Sequence, residues 1–178
     1  MNVDAVTHVL DLVRARQERR DTAPEKHPRK VAAKQRAAEI ALGHHGPARR
    51  ILDVGGEQWY WAMFAPAELV AVNYPEDAHE MDPGEGYDGA LAMHVLEHSP
   101  FPALLLELMR RSVVTGGWIY VAVPHPTRKW REYAAHVTMM LPDSWAHLFR
   151  LLGLEIVHRE SGRFGRKRSV EERFLLRT

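Results

Sequence analysis

Cysteine is absent from the 178 residues of the chain. This excludes disulfide bonds, thiolate zinc sites and any mechanism that needs a cysteine nucleophile. Long apolar runs are missing too, since none approaches the roughly 18 residues of a membrane-spanning helix. Asp4 and Asp11 lie where a secretory signal peptide has its basic and apolar stretches. We therefore expect a soluble, cytoplasmic protein with no membrane partner.

Lysine and arginine are missing from the middle of the chain. Residues 51–108 contain eleven acidic and no basic residues, although the formal net charge of the whole chain is +1. Residues 14–50 carry eleven basic and four acidic residues, and residues 109–178 carry thirteen basic and six acidic ones. Cationic flanks would attract an anionic partner such as nucleic acid, and the acidic centre would favour a cationic ligand. Alternatively, both are solvated faces.

Helical and strand periods alternate along the chain, which is the pattern of a parallel sheet covered by helices. The spacing predicts helices at about 6–13, 31–42, 101–109 and 145–152, and strands at 51–54, 68–73, 89–93, 118–123, 154–158 and 173–177. Gly43 and Gly46 are expected to end the second helix. The length suits one domain, with a helical extension (1–46) packed on a core (47–178).

Two adjacent glycines, Gly55 and Gly56, follow the first predicted strand. A glycine at a strand end lets a ligand approach the backbone without meeting a Cβ. The G-x-G-x-x-G fingerprint that binds a dinucleotide pyrophosphate is absent, so the glycines do not predict a dinucleotide site. Taken alone, the motif is more typical of an ordinary strand-to-helix turn.

Three stretches in this order resemble the class I S-adenosylmethionine-dependent methyltransferases, especially the small type 11 group. They are ILDVGG at 51–56, YDGALAMHVLEHS at 87–99 and TGGWIYVAVP at 115–124. The resemblance implies a Rossmann-like, doubly wound, mostly parallel α/β sheet with an antiparallel last strand, and S-adenosylmethionine as cofactor. Only about fifteen residues separate Asn73 from Gly89, too few for a complete extra strand and helix. We therefore expect the sheet to lack one edge strand or its helix.

The resemblance also implies which residues contact the cofactor. They are Asp53, Gly55, Gly56, Glu57, Asn73, Asp77, Ala78, Met93 and His94. The chain departs from the family pattern in two places. Glu57, Gln58 and Trp59 replace the third glycine region of the turn, and Asn73 stands where an acidic residue usually meets the ribose. These departures leave open a catalytically silent relative that binds a partner through its basic flanks.

Methyl transfer requires mainly in-line positioning in a dry site, because the sulfonium is already a good electrophile. A hydroxyl or amine acceptor would benefit from a base, and we expect His94 or His125 to supply it. Each is equally compatible with a structural role. The acceptor is not identified: the basic loop 161–169 keeps an anionic or nucleic-acid substrate open beside a small metabolite.

The residues from His94 to His98 match H-x-x-E-H, the inverted signature of zinc proteases. That chemistry needs both histidines on one helical face, with the glutamate as base. Pro100 and Pro102 follow too closely for a long helix to continue undisturbed. We therefore predict no metal site, and a metal-dependent hydrolase is the least favoured of the three functions.

Overall fold

The computed structural model describes residues 28–56, 58–72, 83–163 and 169–178. Six strands form one sheet in these residues: β1 (Arg50–Val54), β2 (Glu68–Val72), β3 (Tyr87–Met93), β4 (Val113–Pro124), β5 (Glu155–Arg163) and β6 (Val170–Arg177). Their spatial order is β2-β1-β3-β4-β6-β5. Strands β2, β1, β3 and β4 pair in parallel, and β6 is antiparallel to both β4 and β5. The predicted fold class is confirmed, with β2 at the edge of the described sheet.

Four α-helices and two 3-10 helices accompany the sheet in the described ranges. They are α1 (Pro28–His45), α2 (Pro102–Ser112), α3 (Arg128–Arg131), α4 (Pro142–Leu151) and the 3-10 helices Gln58–Phe64 and Leu96–His98. The prediction that Gly43 helps to end α1 was wrong. Of these two glycines, only Gly46 takes a positive φ, 75°, and its N–H donates to the carbonyl of Leu42. Among the described residues, no helix combines the length and the apolar composition that a membrane span requires.

The sheet is the middle of three layers, with helices on each of its faces. Successive side chains of a strand point to opposite faces, so each strand contributes to both cores. On β4, Ile119 and Val121 pack in a core cluster with residues of α2 and α4. Trp118 and Tyr120 pack in a second cluster with α1 and the Gln58–Phe64 helix. Both faces are therefore covered, which explains why the sequence of this strand is a nearly continuous apolar run.

Several predicted boundaries changed, and one predicted element lies outside the described residues. The helix expected at 6–13 is in that undescribed part of the chain. Strands β5 and β6 are longer than predicted, because both include charged residues that interrupt the apolar pattern used to predict them. Helix α1 packs on the sheet through the buried Ala37, Ile40 and Ala41. The division of the chain at residue 46 stays a prediction.

Ion pairs join α1 to the antiparallel end of the sheet. The Arg36 side chain donates hydrogen bonds of 3.1 and 2.8 Å to the two carboxylate oxygens of Glu160. Arg173 donates to the same carboxylate at 2.8 Å. The hydrogen bond from Arg36 lowers the pKa of Glu160 to about 2, with burial opposing this shift and Arg173 adding to it. The charged form of Glu160 therefore stabilises the fold.

A matched pair of glycine substitutions tests the packing of the sheet. A Cβ at Gly89 on β3 would lie 2.2 Å from the Trp118 indole, whereas a Cβ at Gly43 would meet nothing within 4 Å. We expect Gly89→Ala to lower the free energy of unfolding by about 1–3 kcal/mol, the usual cost of overpacking. Gly43→Ala should leave it unchanged or raise it, because alanine favours a helix. Urea unfolding measures both, and equal stability of the two variants would contradict the packing.

The Glu160 ion pairs predict a defined pH dependence. The pKa of Glu160 is about 2 in the fold, against an ordinary value of 4.5. Its contribution to stability is therefore fully present above the ordinary value and is lost as the pH falls through the folded value. We expect the stability difference between wild type and Glu160→Gln to be constant near neutral pH and to shrink below about pH 4.5. Urea titrations across this range measure it, and a pH-independent difference would count against the pairing.

Candidate active site

The ends of β1 and β3 place five of the predicted cofactor residues together. These strands are neighbours, with Val54 opposite Ala92. Their carboxyl ends, which we call the carboxyl edge, carry Asp53, Gly55, Gly56, Met93 and His94. The other predicted contacts, Glu57, Asn73, Asp77 and Ala78, lie outside the described residues, as does the side chain of Trp59.

The glycine turn after β1 brings bare backbone to the carboxyl edge. Gly55 has a φ of 69°, a conformation that favours glycine, and its N–H donates to the carbonyl of Val72 at 2.7 Å. A Cβ at Gly56 would lie 1.8 Å from Oδ2 of Asp53. Neither position therefore accepts a side chain without rearranging the turn.

The Asp53 side chain accepts hydrogen bonds from the residues that follow this turn. Its buried carboxylate accepts hydrogen bonds from the Tyr60 hydroxyl at 2.7 and 2.8 Å and from the Trp61 indole at 2.7 Å. Both donors belong to the Gln58–Phe64 helix, which the sequence analysis did not predict. Asp53 therefore joins the end of β1 to the Gln58–Phe64 helix across the glycine turn, a role that its place in a buried strand did not reveal.

His94 follows β3 in a conformation that is rare for a residue other than glycine. Its φ is 61°, and its N–H donates to the carbonyl of Ala122 at 2.9 Å. Its Nε2 lies 2.7 Å from Glu171, and its Nδ1 lies 3.3 Å from Glu97. Burial acts to lower the pKa of His94, but these two carboxylates outweigh it and raise the pKa to about 9. His94 is therefore a cation at neutral pH.

The His94 cation is part of a buried chain of charges. The Arg173 side chain donates to Glu171 at 2.6 Å and to Glu160 at 2.8 Å, and Glu160 leads to α1. Burial acts to raise the pKa of Glu171, but His94 and Arg173 hold it below its ordinary value. Apolar periodicity could not reveal this chain, because its members on β6 look like surface residues in the sequence.

A small cavity lies beside His94, between α1 and the sheet. Its lining comprises Ala33, Lys34, Met93, His94, Tyr120, Ala122 and Glu171. The Tyr120 hydroxyl is buried there and has no hydrogen-bond partner among the described residues. Burial raises the pKa of Tyr120 well above its usual range, so this hydroxyl stays protonated.

His125 belongs to a second, separate pair. Its Nε2 lies 2.9 Å from Glu172, which also accepts 2.6 Å bonds from Arg159 and Ser161. Burial acts to raise the pKa of Glu172, but these three donors lower it. Glu171 and Glu172 are adjacent on β6, so their side chains point to opposite faces of the sheet. The two histidines are therefore held by carboxylates on different faces.

The histidines of the H-x-x-E-H match do not share a helical face. The Leu96–His98 segment is a single 3-10 turn, and the Nε2 of His94 is directed at Glu171. His98 turns instead towards His136, with the two ring centroids 4.8 Å apart. The zinc-protease arrangement considered from the sequence is therefore not formed.

Comparison with known proteins agrees with this geometry. Residues 11–159 match the family described as "Methyltransferase domain". No curated protein matches the chain. A similar solved structure is the 1,6-didemethyltoxoflavin-N1-methyltransferase of Burkholderia thailandensis, with bound 1,6-didemethyltoxoflavin and S-adenosylhomocysteine. It has 20% sequence identity and a TM-score of 0.72, over 98% of this chain and 88% of that chain.

Two further solved structures are similar in fold. The N-methyltransferase NodS of Bradyrhizobium japonicum WM9, in complex with S-adenosylhomocysteine, has a TM-score of 0.69 at 12% identity, over 94% of this chain and 99% of that chain. A SAM-dependent methyltransferase of Archaeoglobus fulgidus has a TM-score of 0.66 at 15% identity, over 83% and 94%. Because the family match spans most of the sequence, the chain belongs to the methyltransferase-domain family, with the fold of the class I S-adenosylmethionine-dependent enzymes.

Proposed function

We propose that the protein binds S-adenosylmethionine at the carboxyl edge and transfers its methyl group to a small-molecule acceptor. The observation that carries the proposal is the glycine turn after β1. Gly55 has a positive φ, and Gly56 has no room for a Cβ above Asp53. In open α/β sheets, ligands bind outside the carboxyl ends of the strands, and side-chain-free backbone permits close approach there.

The chemistry of the edge fits this cofactor. S-adenosylmethionine carries a sulfonium and an ammonium and has no phosphate, and residues 51–108 contain eleven acidic and no basic residues. Met93 and His94 close the neighbouring strand and border the small cavity. The cofactor would supply an electrophilic methyl group, so the task of the chain is to hold donor and acceptor in line and keep water away.

A small-molecule acceptor is favoured over nucleic acid because part of the basic flank is internally paired. Of the thirteen basic residues in 109–178, five arginines have carboxylate partners among the described residues: Arg110, Arg111, Arg159, Arg173 and Arg177. Binding of nucleic acid relies on basic side chains that contact phosphates. Paired arginines contribute less to such contacts, and residues 164–168 of the basic loop lie outside the described part.

The two candidate histidines suit different tasks. His94 is a cation with a carboxylate near each ring nitrogen, which suits a group that positions its neighbours. His125 uses Nε2 towards Glu172, and its side chain is 30% exposed. Its Nδ1 can therefore take a proton from an acceptor while Glu172 orients the ring. We propose His125 as the base and His94 as a positioning residue.

Binding of S-adenosylhomocysteine tests the proposed cofactor site. Near-saturating ligand should raise the melting temperature by several degrees, since a ligand at a hundred times its Kd adds about 2.7 kcal/mol. In spectra of the labelled protein, the amide signals of Gly55, Gly56 and Met93 should shift on titration. Gly56→Ala should weaken binding about tenfold or more, a loss of at least about 1.4 kcal/mol. Gly43→Ala is the matched control and should bind like wild type.

Two results would contradict the cofactor site. One is the absence of any stabilisation of the wild-type chain by either S-adenosylmethionine or its demethylated product, which would favour a catalytically silent relative. The other is wild-type affinity in Gly56→Ala, which would move the pocket elsewhere.

Methyl transfer from isotopically labelled S-adenosylmethionine to the molecules of a cell extract tests the proposed acceptor class. Mass spectrometry should detect labelled small molecules, whereas labelled RNA or DNA would contradict this class.

A variant of His125 tests the proposed base once the acceptor has been found. His125→Gln should lower kcat by roughly 10²-fold or more and leave S-adenosylhomocysteine binding intact. His147→Gln, on the exposed surface of α4, is the control. Unchanged kcat in His125→Gln would rule out this residue as the base.

A further inference from the structure

A second constellation lies next to the carboxyl edge, where the 3-10 turn after β3 meets the segment before α4. Glu97, His98 and His136 each place one potential ligand atom so that all three atoms lie within 4.8 Å of one another. The sequence match to H-x-x-E-H contains the first two residues but pairs them with His94. In the fold, the third potential ligand is His136 instead. It comes 38 residues after His98, so no local motif could indicate it.

Both histidines are oriented through their Nδ1 atoms. The Nδ1 of His98 lies 2.8 Å from the carbonyl of Ala135, and the Nδ1 of His136 lies 3.1 Å from the carbonyl of Trp130. A carbonyl can only accept a hydrogen bond, so Nδ1 is the protonated nitrogen in each ring. In the neutral imidazole, Nε2 then carries the lone pair. Metal-binding histidines are commonly oriented in this way.

The Glu97 carboxylate is the third group of the constellation, and its environment is incomplete. The side chain is 1% exposed. Its Oε1 lies 3.3 Å from the His94 Nδ1 and 3.9 Å from the His98 Nε2. These are ion-pair contacts, and neither carboxylate oxygen has a well-formed hydrogen bond from the described residues. The 3.9 Å between Glu97 Oε1 and His98 Nε2 can be spanned by two metal–ligand bonds of about 2.0–2.2 Å, and a buried carboxylate is stabilised by a cation that pairs with it.

The backbone holds the two segments together. The N–H groups of Val137 and Thr138 donate to the carbonyl of Glu97 at 2.9 and 3.0 Å, and the Thr138 hydroxyl donates to the backbone carbonyl of Ser99 at 2.6 Å. The His136 ring is stacked on Trp130, with centroids 5.3 Å apart and an angle of 27° between the planes. The position of His136 beside Glu97 is therefore set by the fold and not by a flexible side chain alone.

We propose that Glu97, His98 and His136 bind a divalent transition-metal ion. Two imidazoles and one carboxylate form a common ligand set for zinc and for ferrous iron, and three protein ligands leave at least one position for water or a substrate atom. Bonds of about 2.0–2.2 Å in tetrahedral geometry separate ligand atoms by about 3.4 Å. The separations of up to 4.8 Å therefore need only small side-chain rotations to close on an ion.

Titration of the tag-free, chelator-treated chain with Co²⁺ and Zn²⁺ tests this proposal. Co²⁺ should bind with a stoichiometry of one and give the visible absorption of a low-coordinate nitrogen and oxygen site, and Zn²⁺ should displace it. His136→Gln and Glu97→Gln should each weaken Zn²⁺ binding by at least about tenfold. His147→Gln, which changes an exposed histidine on α4, should bind Zn²⁺ like wild type.

The structural readout does not depend on a variant folding. X-ray absorption of the Zn²⁺-loaded wild-type chain should show two imidazole ligands at about 2.0–2.1 Å with oxygen completing the shell. Weak binding at several ions per chain, a shell without imidazole, or wild-type affinity in His136→Gln would overturn the proposal. None of these measurements uses S-adenosylmethionine, so they succeed or fail independently of the proposed methyl transfer.

Discussion

A largely buried chain of alternating charges holds the His94 side chain at the carboxyl edge, and its outer member, Arg36, is partly exposed. It runs from Arg36 on α1 through Glu160, Arg173 and Glu171 to His94, and it ends at Glu97. Each cation lies between two carboxylates, so removal of one member would leave an uncompensated charge in a poorly hydrated place. Loss of one partner from a buried pair typically costs about 3–5 kcal/mol.

The chain of charges also connects the parts of the molecule that surround the proposed cofactor site. Glu171 and Arg173 lie on β6, the strand that runs antiparallel to its neighbours. Because β6 packs between β4 and β5, Glu171 meets His94 after β3, and Arg173 meets Glu160 of β5, which pairs with Arg36 in the middle of α1. The helix, His94 and the antiparallel strands therefore share one electrostatic framework, and two of its members, His94 and Glu171, line the small cavity.

The fold could be predicted from the sequence where apolar periodicity governs structure. Strands β1, β3 and β4 are buried on both faces, so their continuous apolar runs identified them directly. The short distance between Asn73 and Gly89 predicts a missing edge strand or helix, and residues 73–82 of that stretch lie outside the described residues. The glycine pair at the end of β1 predicts bare backbone at this edge, in agreement with the positive φ of Gly55 and the lack of room for a Cβ at Gly56.

The features that could not be predicted from the sequence are those that depend on contacts between distant residues. Glu171 and Glu172 are charged residues inside a strand, and only the fold shows that each meets a histidine on its own face. Gly43 was expected to end α1, but a glycine ends a helix only where the backbone takes a positive φ, as at Gly46. His136 lies in a segment without periodicity, so its place beside Glu97 could not be predicted.

The proposed cofactor site depends on the bare backbone at the end of β1. A crystal structure of the chain grown with S-adenosylhomocysteine shows where the ligand binds. We expect the ligand to lie against the backbone of Gly55 and Gly56, with its sulfur towards the end of β3 at Met93 and His94. Ligand bound on another surface, with the glycine turn uncontacted, would rule out this site.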